Sequence, residues 1–219
     1  SSIEGVAHAA DLNIDVIVTD HHLPGKTLPE AWAIINPNQP GCVFPSKNLA
    51  GVGVAFYLLS GLRKTLRDIG WFTDNGMEEP NMAAWLDLVA LGTVADVVPL
   101  DQVNRALVHQ GLMRIRSGRC RPGIQALLRI AGKNPKRLVA TDLGFAIGPR
   151  LNAAGRLDDI SLGIQCLLTD DLNEAMQTAE SLDQLNKDRR SIEQSMQQEA
   201  MMELDKLTLD SERLPSALC

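Results

Sequence analysis

The sequence predicts an α/β fold in which part of a parallel-sheet domain leads into a helical region and then a long connecting helix. Residues 3–13 carry apolar side chains at helical spacing and run into an apolar stretch at 15–19 that ends in a polar loop, so helix, strand and loop follow in the order a parallel sheet uses. From residue 48 onward the apolar residues recur at helical spacing instead. Residues 172–207 contain neither Gly nor Pro and are rich in good helix formers.

Taken in order, Ile3, Val6, Ala7 and Ala10 mark the first helix, and Asp15-Val16-Ile17-Val18-Thr19 reads as a buried strand. Pro24-Gly25 makes a turn, and Ala31-Trp32-Ala33-Ile34-Ile35 is a second short strand closed by Asn36-Pro37-Asn38. Leu49, Val52, Phe56, Leu59, Leu62 and Leu66 predict a long helix ending near Gly70. Asn81 caps a helix over Met82, Trp85, Leu86, Val89 and Ala90, which Gly92 interrupts. Helices follow at 104–117, stopped by Gly118, and at 122–131, opened by Pro122 and stopped by Gly132. The segment 148–156 reads as a Gly-containing turn. The helix at 172–207 would be about 54 Å long at roughly 1.5 Å per residue. Its apolar stripe (Ala179, Leu182, Leu185, Ile192, Met196) is narrow and interrupted, which suits a connector between two domains better than a bundle member.

Composition narrows the class. A chain of 219 residues, 45% of them hydrophobic, can bury a core without disulfide or metal staples. Its apolar runs fall far short of the roughly 20 residues a membrane span needs. Cys42, Cys120, Cys166 and Cys219 form no C-x-x-C pair, as expected of reduced thiols in the cytoplasm. The chain opens on Ser1-Ser2 and stops on Leu218-Cys219, so a piece of a longer protein is expected. The net charge of −6 conceals an asymmetry: between Asp101 and Asp142 lie nine Lys and Arg residues and no acid. That block, Arg105 to Arg137, is either a solvated face or a stripe facing a polyanion, and with no aromatic residue in it, base stacking there is not expected.

Two segments carry the chemistry. Thr19-Asp20-His21-His22 stands where a strand gives way to a loop, the place where open α/β sheets bind ligands, and imidazole with carboxylate suits a divalent metal. Asp96 is set in the otherwise apolar run 88–100, where an ionised carboxylate is costly unless it is paired or bound to metal; capping the next helix or pairing with Arg105 are the plainer readings. Arg150 and Arg156 flank Asn152, and their guanidinium groups either bind phosphate or pair with Asp158 and Asp159. Gly51 and Gly53 permit either close helix packing or approach of backbone N–H groups to a phosphate.

Together, Val-Ile-Val-Thr-Asp-His-His at 16–22 and Leu-Gly-Thr-Val-Ala-Asp at 91–96 resemble the third and fourth motifs of the DHH phosphoesterase superfamily. Asn36-Pro37, the 49–55 segment and Gly148-Pro149-Arg150-Leu151-Asn152-Ala153-Ala154-Gly155-Arg156 are similar to its RecJ branch, the single-strand-specific 5′→3′ DNA exonucleases. The resemblance implies that His21 and Asp96 are metal ligands, that His22 lies beside the substrate phosphate, and that Asp20 orients the site. It further implies that Arg150, Asn152 and Arg156 lie near the nucleic-acid backbone. It implies two-metal hydrolysis with Mn²⁺ or Mg²⁺, a monomer acting on single-stranded DNA in repair and recombination, and a single-stranded-DNA-binding protein and a helicase as partners. The D-x-D-x-D-G and bridging-Asp segments that precede D-H-H in the family have no counterpart, so the chain by itself is expected to be inactive. The implied division is 1–100 for the later part of the catalytic core, 101–168 for a basic helical segment, and 169–219 for a long helix leading to a further domain. The alternatives are a DHH-type phosphodiesterase for oligonucleotides or cyclic dinucleotides and a non-catalytic DHH scaffold.

Overall fold

The computed structural model describes residues 2–157 and 159–206. It opens with α1 (Ile3–Asp11), capped by the Ser2 hydroxyl accepting from Gly5 N. Strands β1 (Ile17–Thr19) and β2 (Ala33–Ile35) follow and pair in parallel, with Val18 opposite Ile34. The expected parallel pairing is present, but β1 is not buried: Ile17 is 53% exposed and only Val18 is partly covered. Among the described residues β2 is its sole strand partner, and Ile17 and Thr19 stay exposed.

Helix α2 (Gly51–Asp68) packs on α4 (Leu86–Ala95), and a short helix, α3 (Trp71–Asp74), and a 3₁₀ turn at Met82–Trp85 bridge them. Asn81 caps that turn, accepting from Ala83 N. Gly92 does not interrupt α4. A Cβ there would lie 2.7 Å from Val52 Cγ1, so the residue is glycine because α2 crosses at that point, and helical hydrogen bonding continues through it.

α5 (Gln102–Arg116) runs back along α4 and is capped by Asp101, whose side chain accepts from Asn104 N. α6 (Pro122–Ile130) follows, with Pro122 at its first position. A short helix, α7 (Ala140–Asp142), and one π-helical turn (Leu143–Ile147) lead into α8 (Gly148–Leu157), then α9 (Ser161–Leu168) and α10 (Leu172–Lys206). The segment 148–156 is thus helix rather than turn: it continues directly from the π-helical turn, and Pro149, which lacks an N–H, stands in its first turn with nothing after it to break the ladder.

One core joins the helical elements. Leu91, Ile115, Ile124, Leu127, Leu138, Leu143, Ile147, Cys166 and Leu182 bring α4, α5, α6, α9 and α10 together, so packing runs across residues 100 and 168 alike. A smaller cluster of Leu49, Val54, Val89 and Leu107 seats α2 on α4 and α5. The long helix has two parts: Ala175, Ala179, Leu182 and Asn186 are buried on α6, α8 and α9, whereas residues 190–203 are exposed on every side. Among the described residues no helix is long and apolar enough to cross a membrane.

Candidate metal and phosphate site

The D-H-H tripeptide leaves the C-terminal end of β1 as a loop built around Asp20. Asp20 N still donates to Ile35 O, continuing the parallel ladder by one residue. Its Oδ1 then accepts from His21 N (2.7 Å), His22 N (3.1 Å) and His22 Nδ1 (2.8 Å). One carboxylate oxygen thereby folds the loop and fixes the His22 tautomer, leaving Nε2 outward on a side chain that is 76% exposed. His21 turns the other way into the structure and is 18% exposed.

The loop is clamped from outside as well. Asn38 Nδ2 donates to His21 O (2.7 Å) and to Lys47 O (3.2 Å), and Asn36 Nδ2 donates to His22 O (2.9 Å). The two asparagines are themselves linked, Asn38 N donating to Asn36 Oδ1. Lys47 Nζ caps Pro37 O and Cys42 O. The sequence marks Asn36-Pro37-Asn38 only as the end of a strand; the clamp escapes notice because its partners are backbone carbonyls 14 and 17 residues away, which no side-chain pattern displays.

Asp96 arrives from the opposite side at the C-terminal end of α4, its N–H on Gly92 O. Neither plain reading applies: Asp101 is the residue that caps α5, and Arg105 Nε donates to Leu100 O. Immediately after Asp96, Val97 adopts φ +60, a left-handed conformation costing a β-branched residue on the order of 1–2 kcal/mol. Strain of this kind concentrates where a chain must aim a functional side chain. A polar chain then ties this loop to the other one. Asp101 accepts from Ser46 Oγ (2.6 Å) and Asn48 Nδ2 (3.3 Å), while the buried Asn104 donates to Asn48 O (2.7 Å) and Pro99 O (2.9 Å). Burial pushes the Asp101 carboxyl up, yet the Asn104 N–H, Ser46 and Asn48 hydrogen bonds outweigh this and hold it below its ordinary value.

The result is that His21 Nε2 and Asp96 Oδ2, 75 positions apart, stand 3.5 Å from each other. Two ligands about 2.1–2.2 Å from one cation at octahedral or tetrahedral angles are separated by roughly 3.0–3.6 Å, so the pair fits two ligands of a single divalent ion. Among the described residues no cluster of three or more metal-capable side chains occurs, so the pair by itself does not make up a full set of metal ligands. The cleft around it is open and lined by Ala50, Gly51, Val52, Gly92, Ala95 and Asn152. Helix α2 begins here with no side chain capping its first turn, and Gly51 lies against the His21 ring, where a Cβ would be 3.6 Å from Cδ2. Gly53 is a packing glycine, a Cβ there lying 3.1 Å from Leu49 Cδ2.

The Gly148–Arg156 residues divide. Residues two apart on a helix point to nearly opposite sides, and Asn152 faces the cleft whereas Arg150 faces α10. Arg150 donates to Asp183 Oδ1 through Nε (2.8 Å) and to Ala146 O through Nη1, its Nη2 lies 2.7 Å from the same Oδ1, and Lys187 Nζ lies 2.8 Å from Asp183 Oδ2. The carboxylate partner of Arg150 among the described residues is Asp183 and not Asp159, and Asp158 lies outside the described residues. Burial raises the Asp183 carboxyl, but Lys187 and Arg150 together hold it below the usual range. The Arg156 side chain lies outside the described residues.

Comparison with known proteins gives this geometry a family. Residues 1–93 match the DHH family, N-terminal domain. The whole chain is 63% identical over 218 residues to the single-stranded-DNA-specific exonuclease RecJ of Salmonella typhimurium. The chain belongs to the DHH family. It spans 38% of the length of that DHH relative. Among solved DHH structures, exonuclease RecJ bound to manganese superposes on 90% of this chain with a TM-score of 0.75 at 36% identity, the match covering 48% of that chain. RecJ of Thermus thermophilus in complex with Mg²⁺ superposes on 85% with a TM-score of 0.67, also at 36% identity, covering 26% of that chain.

Proposed function

We propose that this chain supplies the histidine–aspartate side of the metal centre in a single-stranded-DNA exonuclease that works 5′→3′ and releases mononucleotides. The observation that carries the proposal is the convergence of His21 Nε2 and Asp96 Oδ2 to 3.5 Å from two loops tied together by side-chain hydrogen bonds. Support comes from relatives that are single-stranded-DNA-specific exonucleases and from neighbours that bind Mn²⁺ or Mg²⁺. The chain covers about two fifths of its curated relatives, so the activity is proposed for the whole protein, with further ligands from residues outside those described.

In this reading His21 and Asp96 hold one divalent cation, which supplies a nucleophile at neutral pH and stabilises charge developing on phosphorus. Asp20 orients His22, holding its ring by Nδ1 so that the exposed Nε2 edge faces the side from which a phosphate would approach. Asn152 presents an amide to the same cleft, and the uncapped start of α2 offers backbone N–H groups of favourable polarity for an anion. Arg156 is assigned to the phosphate from the family resemblance. Arg150 acts from behind, holding α8 on α10 so that Asn152 faces the cleft. Repair and recombination, the cytoplasm, a monomeric state and partnership with a single-stranded-DNA-binding protein and a helicase complete the proposal.

The test is hydrolysis of 5′-labelled single-stranded DNA with Mn²⁺ by the full-length protein. His21→Ala and Asp96→Ala are expected to lower the rate at least about a hundredfold, the scale on which loss of charge stabilisation in a transition state is felt, with unchanged melting. Absence of hydrolysis, or full activity in both variants, overturns the proposal.

A further inference from the structure

The basic block does not line the cleft that holds His21 and Asp96. Asp87, in the first turn of α4, is buried and accepts from Arg121 N at 2.8 Å, so the start of α6 lies at the end of α4 remote from Asp96. Helix α4 is ten residues long, which separates the two ends by about 15 Å. At the remote end the last turn of α5 and the length of α6 enclose a cavity of about 260 Å³ lined by Gly118, Cys120, Gln125, Arg129, Lys133 and Pro135. It is the end where the cations gather. Arg116 belongs to the scaffold, donating twice to Leu138 O, and Arg121 stacks on Trp85. Lys133 pairs with Asp142 at the cavity wall. Arg129, Lys136 and Arg137 are exposed and have no carboxylate partner among the described residues.

We infer that this surface is a second binding site for the sugar–phosphate backbone of a single strand, distinct from the metal cleft and about 15 Å from it. Arg129 lines the cavity and Lys136 and Arg137 follow directly on Pro135 of its wall, and with no carboxylate partner among the described residues these cations repel one another until an anion is bound. The cavity carries no aromatic side chain, so it reads phosphates and not bases. Its one thiol is not a nucleophile, since burial and then the Asp87 charge push Cys120 up to about 11. A strand engaged here and in the metal cleft at once must be several nucleotides long, which gives the enzyme a preference for chains over dinucleotides. The inference rests on the single-stranded-DNA reading and deepens it.

The experiment uses the full-length protein in EDTA, where no cleavage occurs, and measures binding of a fluorescent oligothymidylate against salt concentration. Both Arg129 and Lys136 are exposed, so Arg129→Gln/Lys136→Gln is expected to keep the wild-type melting curve. Removing two phosphate contacts should lessen the slope of log K against log salt by about 1.4, a salt sensitivity about sevenfold smaller between 50 and 200 mM. Hydrolysis of a dinucleotide in Mn²⁺, which only the metal cleft can hold, should be unchanged. An unchanged slope, or equal losses for long and short substrates, overturns the second site while leaving the exonuclease reading to its own test. Binding of an acidic protein in place of DNA, with the oligothymidylate slope unaffected, would also overturn it.

Discussion

The Arg150–Asp183 pair separates a structural arginine from a phosphate-binding one, and the two roles have different energetic signatures. Both side chains are largely withdrawn from water, at 14% and 13% exposure, and an ion pair with an Nε hydrogen bond joins them. Removing one member of such a pair leaves the other charge buried, which costs about 3–5 kcal/mol. Lys187 remains beside Asp183 and compensates in part, so Arg150→Met is expected to cost about 2–3 kcal/mol. With a urea dependence of about 2 kcal/mol per molar, the unfolding midpoint falls by about 1–1.5 M. Asp183→Leu alone should cost a similar amount, whereas the double variant should recover most of the loss, because replacing both partners with apolar groups is often near neutral. Circular dichroism through a urea titration reads all three. A phosphate-binding arginine predicts the reverse: Arg150→Met within about 0.5 kcal/mol of wild type, with no recovery in the double variant. That result would refute the assignment of Arg150 to the α8–α10 contact.

Three further outcomes follow from the geometry. Asn38→Ala removes the hydrogen bonds to His21 O and Lys47 O, worth about 1 kcal/mol each, and is expected to weaken Mn²⁺ binding to the full-length protein about 5- to 30-fold by calorimetry; unchanged affinity would show that the clamp does not position His21. Gly123→Ala places a Cβ 1.9 Å from Cys166 O, so α6 and α9 must part, and a loss of about 3 kcal/mol or more in urea unfolding is expected, where an unobstructed helical Gly→Ala would gain about 0.5–1 kcal/mol. The Asp101 carboxyl is held below its ordinary value, so its contribution is complete above the unfolded-state pKa near 3.8 and is lost as pH falls through the lower folded value; Asp101→Asn should flatten acid unfolding in that window, and an unaltered acid limb would contradict the network.

The elements that the sequence displays are those with a local signal. Pro122 opens α6 and Gly118 closes the turn before it, both as expected, and Gly118 takes positive φ. The features that depend on a distant neighbour are the ones that differ. Gly92 is a crossing point for Val52 and not a break, and β1 lacks the cover that would bury it. The Gly148–Arg156 segment carries two glycines and a proline, local marks of a turn, but the π-helical turn before it feeds straight into α8, and the change from turn to helix sends Arg150 and Asn152 to opposite sides. His21 and Asp96 could be paired from the sequence only through their family motifs, since 75 residues separate them. The asparagine clamp and the Asp101–Asn104 chain that hold them together engage backbone groups and leave no periodicity to detect.

The most direct measurement is an anomalous difference map at the manganese edge from crystals of the full-length protein grown with Mn²⁺. The account predicts a peak about 2.0–2.4 Å from both His21 Nε2 and an Asp96 carboxylate oxygen, lost in His21→Ala. A peak that bypasses these two atoms, or the same peak surviving in the variant, would contradict it.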